Sequence, residues 1–371
     1  MGTTTGIRGA GAPGETTRAW WPAWATAGAA AWSLVYGVLG VLWSTGGIGY
    51  PFGPEYDPSP HLSILGDAPR DIVAPAIAVL GFLGFGVAIA MLRIRHRGAL
   101  ALLAAAFGTM AAIGLAILIP DYRILVVLAY LPILVVTAPF GLLPETDLLA
   151  VLTWPVINQL VCIVGGCLWA AASLAFWRRT GGACEACGRT DTPAGWTSAE
   201  HARSWGRVAT GVAVAVPLVY AATRWTWALG FSVGIDHEFY RHGLEIGLWT
   251  AGALLGTLAV LGGVITLGLV QRWGEVIPGW IPFVGGRRVP VMLAVVPAGL
   301  VAAIVTSAGL MFWRFMLRGG FELGGFLISF ENSWAAVLPE LLWPIWGVAL
   351  ACAALAYYLR RRGRCRICGR T

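Results

Sequence analysis

The chain has 371 residues, 58% of them hydrophobic and only 12% charged, with a formal net charge of +7 at pH 7. A soluble domain carries roughly a quarter of its residues as charges, about twice this share, so a soluble globular protein is excluded. All 25 basic residues are arginine, which fits a GC-rich genome. The positive balance does not mark a nucleic-acid partner: in a membrane protein basic residues collect in cytoplasmic loops, and their sidedness is what informs. The expected partner is the lipid bilayer; the sequence specifies no protein partner or small-molecule substrate.

Residues 1–19 are rich in Gly and Thr and read as a disordered tail. The apolar run from Ala19 to Trp43 is too long for a signal-peptide core and lacks a small-residue cleavage site, so it reads as a retained first span. Windows of twenty or more nearly uncharged residues then recur, the length a helix needs to cross the hydrocarbon core. The pattern predicts an all-α integral membrane protein, a polytopic bundle of about eight spans. They lie near 20–43, 71–92, 98–119, 150–177, 206–230, 246–270, 289–312 and 334–359. With both termini cytoplasmic, 19 of the 25 arginines fall inside and six lie at or near the outer face. This bias fixes the orientation, and the expected location is the cell's inner (plasma) membrane.

A ninth apolar segment, 124–143, contests the count. A crossing there would carry Arg178, Arg179 and the cysteines after them to the outside, against the arginine bias. It reads instead as a re-entrant or outer-surface helix broken at Pro132 and Pro139.

The motif CxxCGRT occurs twice, as Cys184-Glu185-Ala186-Cys187-Gly188-Arg189-Thr190 and as Cys365-Arg366-Ile367-Cys368-Gly369-Arg370-Thr371. Each copy follows an apolar stretch ending in arginines. Leu34-Val35-Tyr36 and Trp43 match Leu218-Val219-Tyr220 and Trp227, while Arg123 aligns with Arg314 and Trp154-Pro155 with Trp343-Pro344. These matches predict an internal duplication, with repeat one at 20–190 and repeat two at 191–371, each ending in a cysteine knuckle. Four spans per half make the repeats parallel, related by an axis along the membrane normal. That axis brings the two knuckles together on one side.

Thr223-Arg224-Trp225-Thr226-Trp227-Ala228-Leu229-Gly230, Gln271-Arg272-Trp273-Gly274-Glu275, Gly286-Arg287-Arg288-Val289-Pro290 and Leu342-Trp343-Pro344 resemble an uncharacterised family of multi-pass membrane proteins of high-GC bacteria. The similarity spans most of the chain; it implies a fold and carries no activity.

Cys184, Cys187, Cys365 and Cys368 form the tetrahedral donor set of a structural zinc site. The cytoplasm is reducing, which disfavours stable disulfides and favours a metal. Arginines flanking each pair are expected to lower the thiol pKa values. Two other readings stay open: idle reduced thiols in loops, and a separate redox dithiol at each knuckle, although no thioredoxin-like context surrounds either. Cys162, Cys167 and Cys352 lie in spans and read as small packing residues.

Ionisable residues in spans are functional candidates because their insertion is costly. Arg224 and Glu340 each sit about six residues from the outer end of their spans, at ~9 Å depth by the helical rise, so an ion pair is geometrically open. The preferred reading has Arg224 snorkelling outward past Trp225 and Trp227. The first half lacks both charges and has Asn158 and Gln159 instead, which points to an outward-facing polar site between spans 5 and 8 with Arg224, Glu245 and Glu340. In the outer loop Glu238, His242 and Glu245 share a face if helical, an arrangement suited to a cation, against which stands a simple solvated helix start.

No catalytic residue is assigned. The chain has no GxSxG or HExxH, and without lysine it has no phosphate-binding loop. No histidine lies deep in a span, which argues against haem held by paired membrane histidines. Three functions compete: a transporter-like or ligand-handling protein, a structural or assembly subunit with a zinc clamp, and a thiol-redox membrane protein. Gly81, Gly84 and Gly86 on span 2, and Gly252 and Gly256 on span 6, read as helix-contact seams. The 19 tryptophans read as belts at both interfaces.

Overall fold

A computed structural model describes residues 20–137, 152–191 and 195–370. The predicted tail 1–19, Pro139 and the end of the ninth apolar segment lie outside them. In chain order the helices are α1 (Trp20–Ser44), α2 (Arg70–Arg93), α3 (Ala99–Ile113), α4 (Tyr122–Thr137), α5 (Trp154–Thr180), α6 (Ala199–Ala228), α7 (His237–Glu245), α8 (Leu248–Leu267), α9 (Val291–Leu317), α10 (Phe330–Leu341) and α11 (Trp343–Arg361). A π-helical turn, Gly114–Leu118, lengthens α3. Strands β1 (Phe321–Leu323) and β2 (Phe326–Ile328) form one small antiparallel hairpin.

Among the described residues, eight helical segments of 20–32 residues are long and apolar enough to cross a bilayer. A hydrocarbon interior offers no partner to backbone N–H and C=O groups, so apolar runs of this length satisfy them internally as helices. The protein is an all-α polytopic membrane protein, as its sequence predicts. The eighth span is made of α10 and α11 in succession, and α10 itself is kinked at Ser333, whose φ of −144° is non-helical.

The described part of the ninth apolar segment is α4. The chain stands at the same end of the bundle before α4 and at the start of α5. Asp121 bonds Gln159 near the start of α5, and Trp154 Nε1 donates to Gly49 O, in the loop after α1, at 2.7 Å. The expected break at Pro132 is absent: the helix continues through that residue to Thr137, where the missing N–H removes one bond from the ladder without ending it.

In the first half α1 packs on α2 and α5, and α3 packs on α5; in the second, α6 packs on α8 and α11, and α9 on α11. The two sets meet where α9 lies against α4 and the π turn. The α1–α2 seam is tight because it is lined with glycine: a Cβ on Gly81 would sit 2.4 Å from Gly37 N. Gly84 belongs to the seam, facing Ser33, whereas Gly86 faces open space and does not. On α8, Gly256 lies against Ala221 and Gly252 against Arg224.

Tryptophan does more than belt the interfaces. Trp43, Trp169 and Trp227 are among the largest fully buried side chains, at 2%, 1% and 2% exposure. Each indole N–H within this core needs an acceptor; Trp169 donates to Ser33 Oγ and Trp227 to Val233 O.

Candidate metal centre and opposite-face cavity

Thr180 and Arg361 end the last span of each half at the same face of the bundle, and a knuckle follows each. In the first, Gly188 N donates to Cys184 O at 2.7 Å and Cys184 N to Arg189 O at 3.0 Å. In the second, Gly369 N donates to Cys365 O at 2.9 Å and Cys365 N to Arg370 O at 2.9 Å. The turns close only with a left-handed residue after the second cysteine, and Gly188 and Gly369 adopt φ of +72° and +71°, a conformation free of penalty in glycine.

The knuckles are 177 residues apart in sequence and face each other in space. Cys184 Sγ lies 4.0 Å from Cys365 Sγ, and Cys187 Sγ 3.7 Å from Cys368 Sγ. All four sulfurs are within 4.8 Å of one another. Four thiolates around one ion at the usual zinc–sulfur distance of about 2.3 Å stand ~3.8 Å apart, so the cluster needs only slight contraction to fit.

Arginine completes the arrangement. Arg189 donates to Gly363 O, Arg362 O and Arg370 O, and Arg370 donates to Arg189 O. Arg362 reaches Cys187 O, and Arg178 reaches Ala186 O. These guanidiniums bind backbone carbonyls, not sulfur, so the expected general lowering of the thiols is not what they do. Burial, reinforced by the neighbouring thiols, pushes Cys187 up to about 12. Against a desolvation that would raise it, the Cys365 thiol is held down to about 6 by the backbone N–H groups of Cys368 and Ile367.

At the opposite face the bundle holds a second polar centre. Arg224, on α6, does not snorkel. Its Nη2 bonds Glu340 Oε1 on α10, and its Nη1 donates to Thr223 Oγ1 at 3.2 Å. The guanidinium carbon lies 4.5 Å from the Tyr220 ring and 4.6 Å from the Trp227 ring. Glu340 is buried and Arg224 nearly so, and Glu340 Oε2 has no hydrogen-bond partner among the described residues. The ion pair wins over snorkelling because Tyr220 and Trp227 hold the cation by their faces at the depth of the carboxylate.

The pair lines a cavity of about 480 Å³ whose walls are aromatic, including Trp227, Trp249, Phe312 and Phe321. His61 and Tyr122 close it from the first half, and the β1–β2 hairpin brings Glu322. The hairpin turns on Gly324 and Gly325, with φ of +61° and +83°, as a two-residue turn of primed type requires. Glu245 is not part of this site. Helix α7 forms where expected, capped by Asp236 accepting from Phe239 N at 2.9 Å, but its buried face is Phe239, Tyr240 and Gly243. Glu238 and Glu245 therefore point to solvent, and the helix has no metal-holding trio among the described residues.

A third centre escaped the sequence reading. Arg123 donates to both oxygens of Asp57, at 2.7 and 2.9 Å, and to both of Asp121, the nearest at 2.6 Å. Gln159 Nε2 donates to Asp121 Oδ2 at 2.6 Å, and Tyr36 Oη donates to Asn158 Oδ1 at 2.7 Å. Burial lowers the Arg123 pKa, but the hydrogen bonds to Asp121 and Asp57 outweigh it and hold the guanidinium above its ordinary value. The first half thus has its own buried charges, built with different residues. Cys162 packs beside Tyr36 and is buried, as expected, whereas Cys167 is exposed on the bundle surface.

Comparison with protein-family models, curated proteins and solved structures finds no match to this chain. The resemblance of its arginine–tryptophan motifs to a family of multi-pass proteins gains no support from them.

Proposed function

We propose that the protein is a structural membrane subunit of the bacterial inner membrane, built from two duplicated four-span units stapled by one zinc ion. The ligands are Cys184, Cys187, Cys365 and Cys368, on the cytoplasmic face with both termini. One observation carries this reading: four sulfurs from two distant knuckles converge within 4.8 Å. A closed set of four thiolates leaves no open coordination position, so the ion is structural and supplies no chemistry of its own. The duplication is supported by the recurring helix contacts, by the equivalent burial of Trp43 and Trp227, and by the matching starts of α5 and α11 at Trp-Pro. The orientation is supported by the arginines gathered at the knuckle face. The test is metal analysis of the whole protein purified under reducing conditions. One zinc per chain is expected, falling in Cys184→Ser; less than about half an equivalent overturns the clamp.

A second reading has a specific observation in its favour. The cavity beside Arg224 and Glu340 is lined from both halves and keeps a buried carboxylate oxygen unpartnered, as a ligand-handling or transporter-like protein requires. The redox reading is less well supported, since the sulfurs of both knuckles gather in one cluster and not as two separate dithiols. Alkylation that finds no oxidised thiol in cells under oxidative stress removes it.

A further inference from the structure

We infer that the opposite-face cavity takes an amphipathic amine, its protonated nitrogen on Glu340 Oε2 and its apolar body among the aromatic rings. This rests on the reading of the cavity as a ligand site and is independent of the zinc clamp.

Glu340 is 4% exposed, and Arg224 occupies only one of its two oxygens. A buried carboxylate oxygen without a donor is unfavourable, and an incoming N–H group removes that penalty. The choice between cation and anion follows from how Arg224 is held. Its two Nη atoms engage Glu340 and Thr223, and Tyr220 and Trp227 flank it. An anion on the remaining N–H groups of Arg224 would stand beside the like charge of Glu340, whereas a cation adds to the carboxylate already there. The aromatic walls present negative ring faces that favour a positive group. Glu322 places a second carboxylate on the lining.

The chemistry also sets the degree of substitution. Oε2 lacks a hydrogen bond, so the ligand must carry an N–H; a quaternary ammonium does not complete the site. A volume of about 480 Å³ suits a small molecule with one ring or a short chain. Such an ammonium is available from a free hydrophobic amine or from the ethanolamine headgroup of a phospholipid.

The test uses the full chain in phosphatidylcholine nanodiscs, titrated with 2-phenylethylamine and read by tryptophan fluorescence, since Trp227 and Trp249 line the cavity. Saturable binding is expected. It weakens about 10- to 100-fold for the N,N,N-trimethyl analogue and for Glu340→Gln, the loss of one charge-assisted hydrogen bond. Gly252→Leu fills the cavity and abolishes binding; a Cβ there stands 3.5 Å from Arg224 Cδ, an ordinary contact. Should Glu340→Gln not fold, the trimethyl analogue and Gly252→Leu decide. Competition by phosphatidylethanolamine would identify the lipid as source, and its absence a free amine. Saturable binding of 3-phenylpropanoate in place of the amine overturns the inference while leaving a ligand cavity. No saturable binding of either probe overturns both.

Discussion

Arg189 and Arg370, equivalent positions of the two knuckles, each donate a hydrogen bond to the other's backbone carbonyl, at 3.1 and 3.0 Å. A reciprocal exchange, residue i to j and j to i, is the mark of a two-fold relation between surfaces. The same relation pairs Cys184 with Cys365 and Cys187 with Cys368. The two arginines lock the knuckles in the register that brings four sulfurs together.

Zinc retention is therefore expected to depend on residues outside the donor set. Arg189→Ala removes the donor to three carbonyls in and just before the second knuckle and is expected to weaken zinc about 10- to 100-fold in chelator competition. Arg370→Ala is expected to have the smaller effect, because its side chain donates to one carbonyl across the contact and not three. Equal zinc affinity in wild type and Arg189→Ala would show that the sulfurs alone hold the register.

Removing one member of the buried ion pair strands the other. Arg224→Ala is expected to lower stability by ~3–5 kcal/mol, whereas Arg224→Met combined with Glu340→Gln recovers much of that loss. Thermal unfolding followed by tryptophan fluorescence separates the two. A double variant as unstable as the single one would mean that the cation's packing on Tyr220 and Trp227, not its charge, is what matters.

Asp57 and Asp121 both hold Arg123 but are not equivalent. Asp121 also accepts from Arg123 N and from Gln159, while Asp57 accepts from Ser59 N. Asp57→Asn leaves the cation one carboxylate and is expected to destabilise by ~1–3 kcal/mol. Asp121→Asn is expected to lower the melting temperature further; the reverse order would place the anchor of this network in the loop after α1.

Two glycines on α2 give an internal control. Gly81→Ala drives a Cβ into the backbone of α1 and is expected to cost ~1–3 kcal/mol. Gly86→Ala meets open space and is expected to be neutral or slightly stabilising, as alanine is the better helix former by up to ~1 kcal/mol. A similar loss at both positions would relocate the helix contact.

The eight spans were legible because length and hydropathy alone decide what a bilayer accepts, and the knuckles because their spacing and glycine are local signals. That Arg224 and Glu340 lie at matching distances from the ends of their spans was legible too. Their pairing was not, since it depends on Tyr220 and Trp227 closing around the cation. Glu245 was misplaced for a related reason: helical spacing gives a shared face, but only packing shows that Phe239 and Tyr240 turn α7 so that Glu238 and Glu245 are exposed while His242 lies on Phe326. Arg123 served in the sequence only as a marker of the repeat. Its partner Asp57 lies in an irregular loop with no periodicity, 66 positions away, and no local pattern joins the two.

The claim that one metal joins the two halves is tested most directly by X-ray absorption at the zinc edge, on the intact protein purified under reducing conditions. The expected result is four sulfur neighbours at about 2.3 Å and no nitrogen or oxygen in the first shell. A shell of two sulfurs completed by nitrogen or oxygen would contradict it, because each knuckle would then bind on its own.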